Sequence, residues 1–388
     1  MTHRTKAEER PTSGSRSLAV LLVAALAGAS ACNTNAAREL GVAEEPVVGG
    51  TASTADDDAV VLILTHVPEK DTAQGQFYLN CTGTLLAPNV VLTARHCVTA
   101  TTDGTFTCKM DGTLGSGPGG TFESDFVVAN TTVYVGPTLP DTIDPAAFPG
   151  KAASYVYDAA ATVSCNSDVA LLVLETPIEG AKIAPVRLSG DVTVDESLYV
   201  VGWGATETSF IPPSRQRRDD VTVVEVGPSA TQHVGGQLAD KEFLASESVC
   251  FGDSGGPAFD SETGAVVGTV SRGPNGGVTS DGSGCVGTEH TFMKTSSFKA
   301  LIEQAFAMAG GEPWVEGEPP PGTGGGGSGG ATGAGGGDGG SDESGDGCSC
   351  ATPNTDDDAP WAPFAVAAAA FVFARRRRAP GRGGQPPR

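Results

Sequence analysis

An all-β body is predicted for most of this 388-residue chain by one recurring pattern. Short apolar runs rich in Val and Thr recur between clusters of Gly, Pro and Asp, the pattern of strands joined by turns. Examples are Val60 to Thr65, Phe126 to Val135, Leu198 to Gly202 and Val221 to Val226. One segment departs from it: Phe298, Leu301, Ile302, Ala305 and Phe306 recur at intervals of three and four, which predicts an amphipathic helix near the end of the body. No internal repeat is found.

Residues 1–31 read as an export signal. Arg4, Lys6, Arg10 and Arg16 precede the apolar stretch Leu18 to Ala27, and Ala29-Ser30-Ala31 offers a small-residue cleavage site. Cys32 directly after it suits a bacterial lipoprotein signal, with Ala29 standing where a larger aliphatic is usual; a plain secreted signal is the alternative. Nine cysteines, an odd number, fit Cys32 having a use other than a disulfide.

Three separated segments carry the chemistry. Val90-Val91-Leu92-Thr93-Ala94-Arg95-His96-Cys97 is an apolar strand that ends on a histidine. Asn166 to Leu174 sets Asp168 at the head of a strand of buried type, where a carboxylate needs a charged or hydrogen-bonding partner. Gly252-Asp253-Ser254-Gly255-Gly256-Pro257 holds a serine in a glycine-rich turn. A serine hydroxyl is a weak nucleophile at neutral pH, so it requires a base for its proton and donors for the oxyanion that follows. The glycines let backbone N–H groups approach a substrate carbonyl. The same run fits G-x-S-x-G, but an α/β-hydrolase elbow needs a helix after its serine. Here Pro257 intervenes and Ala265 to Val270 reads as a strand, so that fold is excluded. His3, His66, His233 and His290 lack comparable flanks and read as structural or surface residues.

The order His96, Asp168, Ser254, with these flanks, resembles the trypsin/chymotrypsin-like serine proteases over about residues 47–310. The resemblance implies two six-stranded antiparallel β-barrels with the site between them and a C-terminal helix on the second barrel. It implies Ser254 as nucleophile, His96 as the base and then the acid, Asp168 as the orienting carboxylate, and the N–H groups of Gly252 and Ser254 as the oxyanion hole. Val47-Val48-Gly49-Gly50 resembles the terminus that such proteases expose on zymogen cleavage, whose new amine would pair with Asp253. A buried carboxylate there is costly unless paired, so the ion pair can switch the site on. Glu44-Glu45-Pro46 replaces the usual basic residue; either the activating protease is not trypsin-like or the mature start lies elsewhere.

Further implications follow from the same resemblance. Cys81 with Cys97, and Cys250 with Cys285, stand where the family places disulfides. Cys108 and Cys165, the body cysteines left over, are expected to close the stretch between His96 and Asp168, a pairing that spacing does not dictate. Val201-Gly202-Trp203-Gly204 resembles the family's Gly-Trp-Gly segment. Ser248 is expected at the floor of the specificity pocket, Gly273 on one wall and Thr288 on the other, with Glu247 pointing elsewhere. A neutral floor implies an uncharged, apolar P1 side chain, and the β-branched Thr288 narrows the pocket toward medium or small ones.

From Glu316 to Gly347 the composition collapses mainly to Gly, Pro, Ser, Asp and Glu, too poor in apolar residues for a core and suited to a solvated tether. Gly347-Cys348-Ser349-Cys350, an apolar run from Pro360 to Ala374 and Arg375 to Arg378 follow. This tail resembles the C-terminal sorting signals of myxobacterial surface proteins (the MYXO-CTERM type). Its apolar run of about fifteen residues is short for a membrane span, and the arginines would stay on the cytoplasmic side. The expected plan is a signal peptide at 1–31, a propeptide at 32–46, the protease domain at 47–312, a linker at 313–347 and a sorting or anchor tail at 348–388.

A formal charge of −22, from 46 acidic and 24 basic residues, repels nucleic acid and favours solubility outside the cell. No H-E-x-x-H occurs, no metal or cofactor is expected, and the body cysteines fit disulfides of an oxidising compartment. The runs Asp56 to Asp58 and Asp356 to Asp358 read as solvated. The expected partners are protein or peptide substrates, an activating protease, machinery that processes the tail, and a membrane through the tail. The expected location is the bacterial cell envelope or surface, or the medium after release. A non-catalytic surface-binding protein on the same fold is the alternative; degenerate proteins of that kind lose a triad residue, and this chain keeps all three.

Overall fold

The computed structural model describes residues 47, 49–73, 75–205, 212–273 and 285–321. The export signal, most of the linker and the C-terminal tail lie outside them.

Six strands form the first barrel: β1 (Val60–His66), β2 (Tyr78–Ala87), β3 (Val90–Thr93), β4 (Thr131–Tyr134), β5 (Gly150–Tyr157) and β6 (Ala170–Leu174). Their order is β1-β2-β3-β6-β5-β4, all antiparallel, and β4 returns to β1 with Leu62 opposite Tyr134. The second barrel comprises β7 (Ser197–Gly202), β8 (Gln216–Val226), β9 (Glu242–Ala245), β10 (Pro257–Asp260), β11 (Val266–Arg272) and β12 (His290–Lys294). Here the order is β8-β7-β10-β11-β12-β9, closed by β8 on β9, and Thr51–Ala52 pairs with β8 as well. The fold is therefore the expected pair of six-stranded antiparallel barrels followed by a helix, α1 (Lys299–Ala309).

The uninterrupted apolar runs have a simple cause. Successive strand residues point to opposite faces, and in these strands both faces are covered. On β1, Val61 and Ile63 enter the first barrel with Leu85, Val91 and Leu172. Leu62 and Leu64 turn outward onto Trp203, and Val60 joins an inter-barrel cluster with Leu171, Val266 and Met293. The second barrel is filled by Leu198, Val200, Val221, Phe243, Val267 and Phe292, with the side chain of Val47 buried among them.

Two boundaries differ from expectation. The helix α1 lies against β3, β5 and β6 of the first barrel rather than on the second, because the 3-10 turn Thr295–Phe298 carries the chain off β12. The folded body also continues past 312. Val186 exchanges backbone hydrogen bonds with Trp314 and Glu316 at 2.9 and 3.0 Å, and Arg187 grips the Glu316 carboxylate at 2.6 and 2.8 Å. The run Asp56 to Asp58 is engaged rather than merely solvated: Asp57 pairs with Arg217 and Asp58 with the fully buried Arg215.

Candidate active site

The site sits where the barrels meet. After β3 the chain leaves its strand through the 3-10 turn Arg95–Cys97, which presents His96. A disulfide from Cys97 to Cys81 on β2 fixes one side of that turn. Arg95 fixes the other: its guanidinium lies between the rings of Phe122 and Tyr157, 4.0 and 4.1 Å from their centres. It also donates to the carbonyls of Asp158 and Ala161 at 2.9 and 2.8 Å. Arg95 is thus an internal brace, buried beside the histidine.

Asp168 stands just ahead of β6, after the left-handed Asn166 (φ 63°). Its carboxylate collects three donors: His96 Nδ1 at 2.8 Å, the His96 backbone N–H at 2.9 Å and Ser271 Oγ at 2.7 Å. Burial pushes the carboxyl up, but the imidazole and these donors outweigh it and hold Asp168 below its ordinary value. Burial likewise pulls the His96 imidazole down, and Asp168 outweighs that too, leaving it raised. An ionised carboxylate only accepts, so Nδ1 carries the proton and Nε2 is left as the acceptor. Ser271 was not singled out by sequence reasoning; it lay unremarked in Val270-Ser271-Arg272-Gly273, inside a strand.

Ser254 arrives from the second barrel on the turn before β10. Thr82 of β2 holds that turn across the barrel boundary, donating from its N–H to Ser254 O and from its hydroxyl to Gly252 O, each at 2.9 Å. Gly255 has a φ of 77° and approaches β3 so closely that a Cβ would collide with Thr93. The N–H groups of Asp253, Gly255 and Gly256 are spent on Cys250, Val270 and Asp253 carbonyls. Those of Gly252 and Ser254 donate to no acceptor among the described residues. Ser254 and His96 line one cavity of about 370 Å³, and the hydrogen bond of the His96 ring goes to Asp168 rather than to Ser254.

Asp253 is buried at 1% exposure against Gly204, where a Cβ would strike its carboxyl. Burial pushes it up to about 7, and N–H bonds from Cys250 (2.8 Å) and Gly204 (2.7 Å) offset only part of that. Among the described residues no cation pairs with it. Val47 is buried in the second barrel, with a left-handed φ of 52° and its carbonyl accepting from Gly50 N–H.

Of the expected pocket residues, Gly273 lines the cavity beside Val249, Cys250 and Phe251. Ser248 is fully buried just before them and does not line it. Thr288 does not line it either; its hydroxyl turns back to the Cys285 carbonyl. His290 lines the cavity next to Gly273. Pairing of Arg272 with Thr291 sets Gly273 beside His290, close enough that a Cβ on the glycine would meet the imidazole. Burial pulls His290 down to about 4, so it is neutral at pH 7. Glu247 points away from the cavity, to Arg218 and the Gly287 N–H.

The disulfides are Cys81–Cys97, Cys108–Cys165 and Cys250–Cys285. Cys81, His96 and Cys97 bring potential metal-ligand atoms within 4.8 Å of one another, but both sulfurs are consumed by their disulfide.

The Trypsin family model matches residues 66–299, a stretch containing His96, Asp168 and Ser254. The chain is similar to human chymotrypsin-like elastase family member 3B, 25% identical over 192 residues, which cover 47% of this chain and 63% of that protein. It is also similar to human chymotrypsin-like elastase family member 3A, at 24% over 245 residues (60% and 80% covered). Limulus clotting factor C of Carcinoscorpius rotundicauda is 28% identical over 211 residues, 48% of this chain and 18% of that protein. The chain spans less than two thirds of the length of the first of these relatives. With more than half of its residues inside the family match and both barrels closed, the chain belongs to the trypsin family of serine proteases.

Proposed function

We propose that this chain is an exported serine endopeptidase, made as a precursor and switched on by cleavage before Val47. The observation that carries the reading is the Asp168 carboxylate, held ionised against His96 Nδ1 while His96 and Ser254 share one cavity. Ser254 Oγ attacks the scissile carbonyl carbon as His96 Nε2 takes its proton. The oxyanion forms against the uncommitted N–H groups of Gly252 and Ser254. Collapse breaks the C–N bond, His96 returns the proton to the leaving amine, and water repeats the sequence on the acyl-enzyme. A hydrogen bond from Ser254 to His96 is of the kind that tightens only when substrate is bound.

The amine freed at Val47 would pair with Asp253 and convert its buried acid to a carboxylate. With Val249, Gly273 and a neutral His290 on its lining, the pocket suits a short, uncharged, apolar P1 side chain, in keeping with relatives named as elastases. Residues 1–31 would direct export, and 348–388 would sort the protein to the cell surface. Digestion of a peptide library by protein beginning at Val47, with Ser254→Ala as control, tests the reading. Cleavage after small apolar residues is expected, falling by at least about 10⁴-fold in the variant. Hydrolysis that survives in purified Ser254→Ala overturns the mechanism, and cleavage confined to Arg or Lys overturns the pocket assignment.

A further inference from the structure

Ser271 and Arg272 are consecutive, yet both side chains leave β11 to serve the segment that carries Asp168. The pairing of β11 with β12 slips between Val270 and Arg272, so Ser271 is the extra residue of a bulge, a feature that re-aims side chains. Ser271 goes to Asp168 itself. Arg272 closes on the Glu242 carboxylate with both terminal nitrogens, each at 2.8 Å, and the two side chains are only 6% and 0% exposed.

Glu242, the first residue of β9, reaches on into the first barrel's chain. It accepts the N–H of Asn166 at 2.7 Å and that of Ala239 at 2.9 Å. Asn166 answers by accepting the Lys241 N–H on its Oδ1 at 2.7 Å. Cys165, next to Asn166, is joined to Cys108, whose own N–H and carbonyl bind Gly235 and Gln237. The turn two residues before Asp168 is therefore tied to the second barrel by a buried ion pair, a backbone-to-side-chain exchange and a disulfide. A dry ion pair contributes little net stability over an apolar pair of equal volume, so its worth here is geometric.

We propose that Arg272 and Glu242 are positioning residues for Asp168: they clamp the Asn166 turn to the second barrel, so that one carboxylate meets Ser271 and His96 together. The proposal rests on the triad reading above. It is tested with protein beginning at Val47, comparing wild type with the double variant Arg272→Met/Glu242→Leu, which removes both charges at once and leaves an apolar pair. A fluorophosphonate titration counts competent sites. Per titrated site, kcat is expected to fall about 10- to 100-fold with KM little changed, the cost of a misplaced catalytic group. The acid limb of the pH profile is expected to move to lower pH, because His96 loses part of the support of Asp168. The charged groups acting on that pair are each other and, at longer range, Arg95, which the variant leaves in place.

Wild-type kcat and an unshifted limb in the double variant, whatever its melting temperature, overturn the proposal. Should that variant not fold, the isosteric Glu242→Gln decides by the same readouts, with a loss of about tenfold expected (roughly 1.4 kcal/mol) and an unchanged kcat overturning it. Wild-type protein that the fluorophosphonate fails to label would instead refute the triad reading itself.

Discussion

Asp168 and Asp253 are equally buried, at 1% exposure each, and their surroundings shift the two carboxyls in opposite directions. Asp168 has three donors, one of them on an imidazole that gains charge, and it stays ionised below its ordinary range. Asp253 has two backbone N–H groups and no cation among the described residues, and it rises to about 7. Burial disfavours the charged form in both cases; the partner decides the outcome. The partner of Asp168 is built into the first barrel. The partner proposed for Asp253, an amine freed at Val47, would form only when a peptide bond is cut.

The harshest way to break this contrast is Asp168→Asn. The amide keeps the shape but presents an NH₂ where a carboxylate oxygen was, so His96 Nδ1 must become the acceptor and its proton moves to Nε2. An Nε2 that carries a proton cannot take another from Ser254, and kcat is expected to fall about 10⁴-fold with the fold intact. Steady-state kinetics on the cleaved protein checks this. A loss smaller than tenfold would mean that the ionised state of Asp168 has no special standing.

The second test concerns the uncleaved protein and the pH dependence of its stability. Between pH 4 and 7 the unfolded chain holds Asp253 ionised while the folded chain keeps it protonated. The unfolded state therefore binds fewer protons, and stability falls as pH rises. A rise from 3.8 to about 7 corresponds to roughly 4 kcal/mol lost across that window. His290 acts with the opposite sign: its fall from 6.5 to about 4 leaves it neutral when folded and protonated when unfolded, so stability rises with pH by roughly 3 kcal/mol. Other shifted groups, His96, Asp168 and Glu242 among them, also act in wild type, and only a difference isolates Asp253. The stability of wild type minus Asp253→Asn, from denaturant unfolding at pH 4 and pH 7, is expected to fall by roughly 4 kcal/mol over the window. In protein cut before Val47 the same difference should lose that fall, since the new amine holds Asp253 ionised. A flat difference in the uncleaved protein would erase the contrast.

How far the sequence revealed these two carboxylates follows from where their partners lie. Asp168 was legible because His96 and Ser254 stand in short segments with telling neighbours, and an acid heading the strand Val169 to Leu174 needs an explanation. Asp253 was legible because it adjoins Ser254. The barrels were legible because strands covered on both faces spell unbroken apolar runs, as Val60 to Leu64 do. What stayed hidden depends on register between distant strands. Ser271 looks like any strand serine until a bulge aims it at Asp168. Glu242 and Arg272 meet only because β9, β12 and β11 are neighbours, and nothing local marks either. His290 entered the cavity in place of Thr288 for the same reason.

The mildest test removes one donor from the better-served carboxylate. Ser271 Oγ is buried at 6% exposure, and its hydrogen bond to Asp168 Oδ2 is 2.7 Å. A hydrogen bond to a charged acceptor contributes about 1.5–3 kcal/mol. Ser271 also lines the cavity, so water can enter the space its hydroxyl vacates and restore part of that. The two donors from His96 remain, and they fix the tautomer without help. Ser271→Ala should therefore cost kcat only about tenfold, far less than Asp168→Asn, with KM moving less than kcat. Kinetics on the cleaved variant distinguish this from a role in shaping the cavity, which would raise KM and leave kcat alone. A tenfold step in kcat would place Asp168 on a graded scale, its effectiveness set by the number of donors it holds. Asp253, lacking its cation, would stay at the far end of that scale until cleavage.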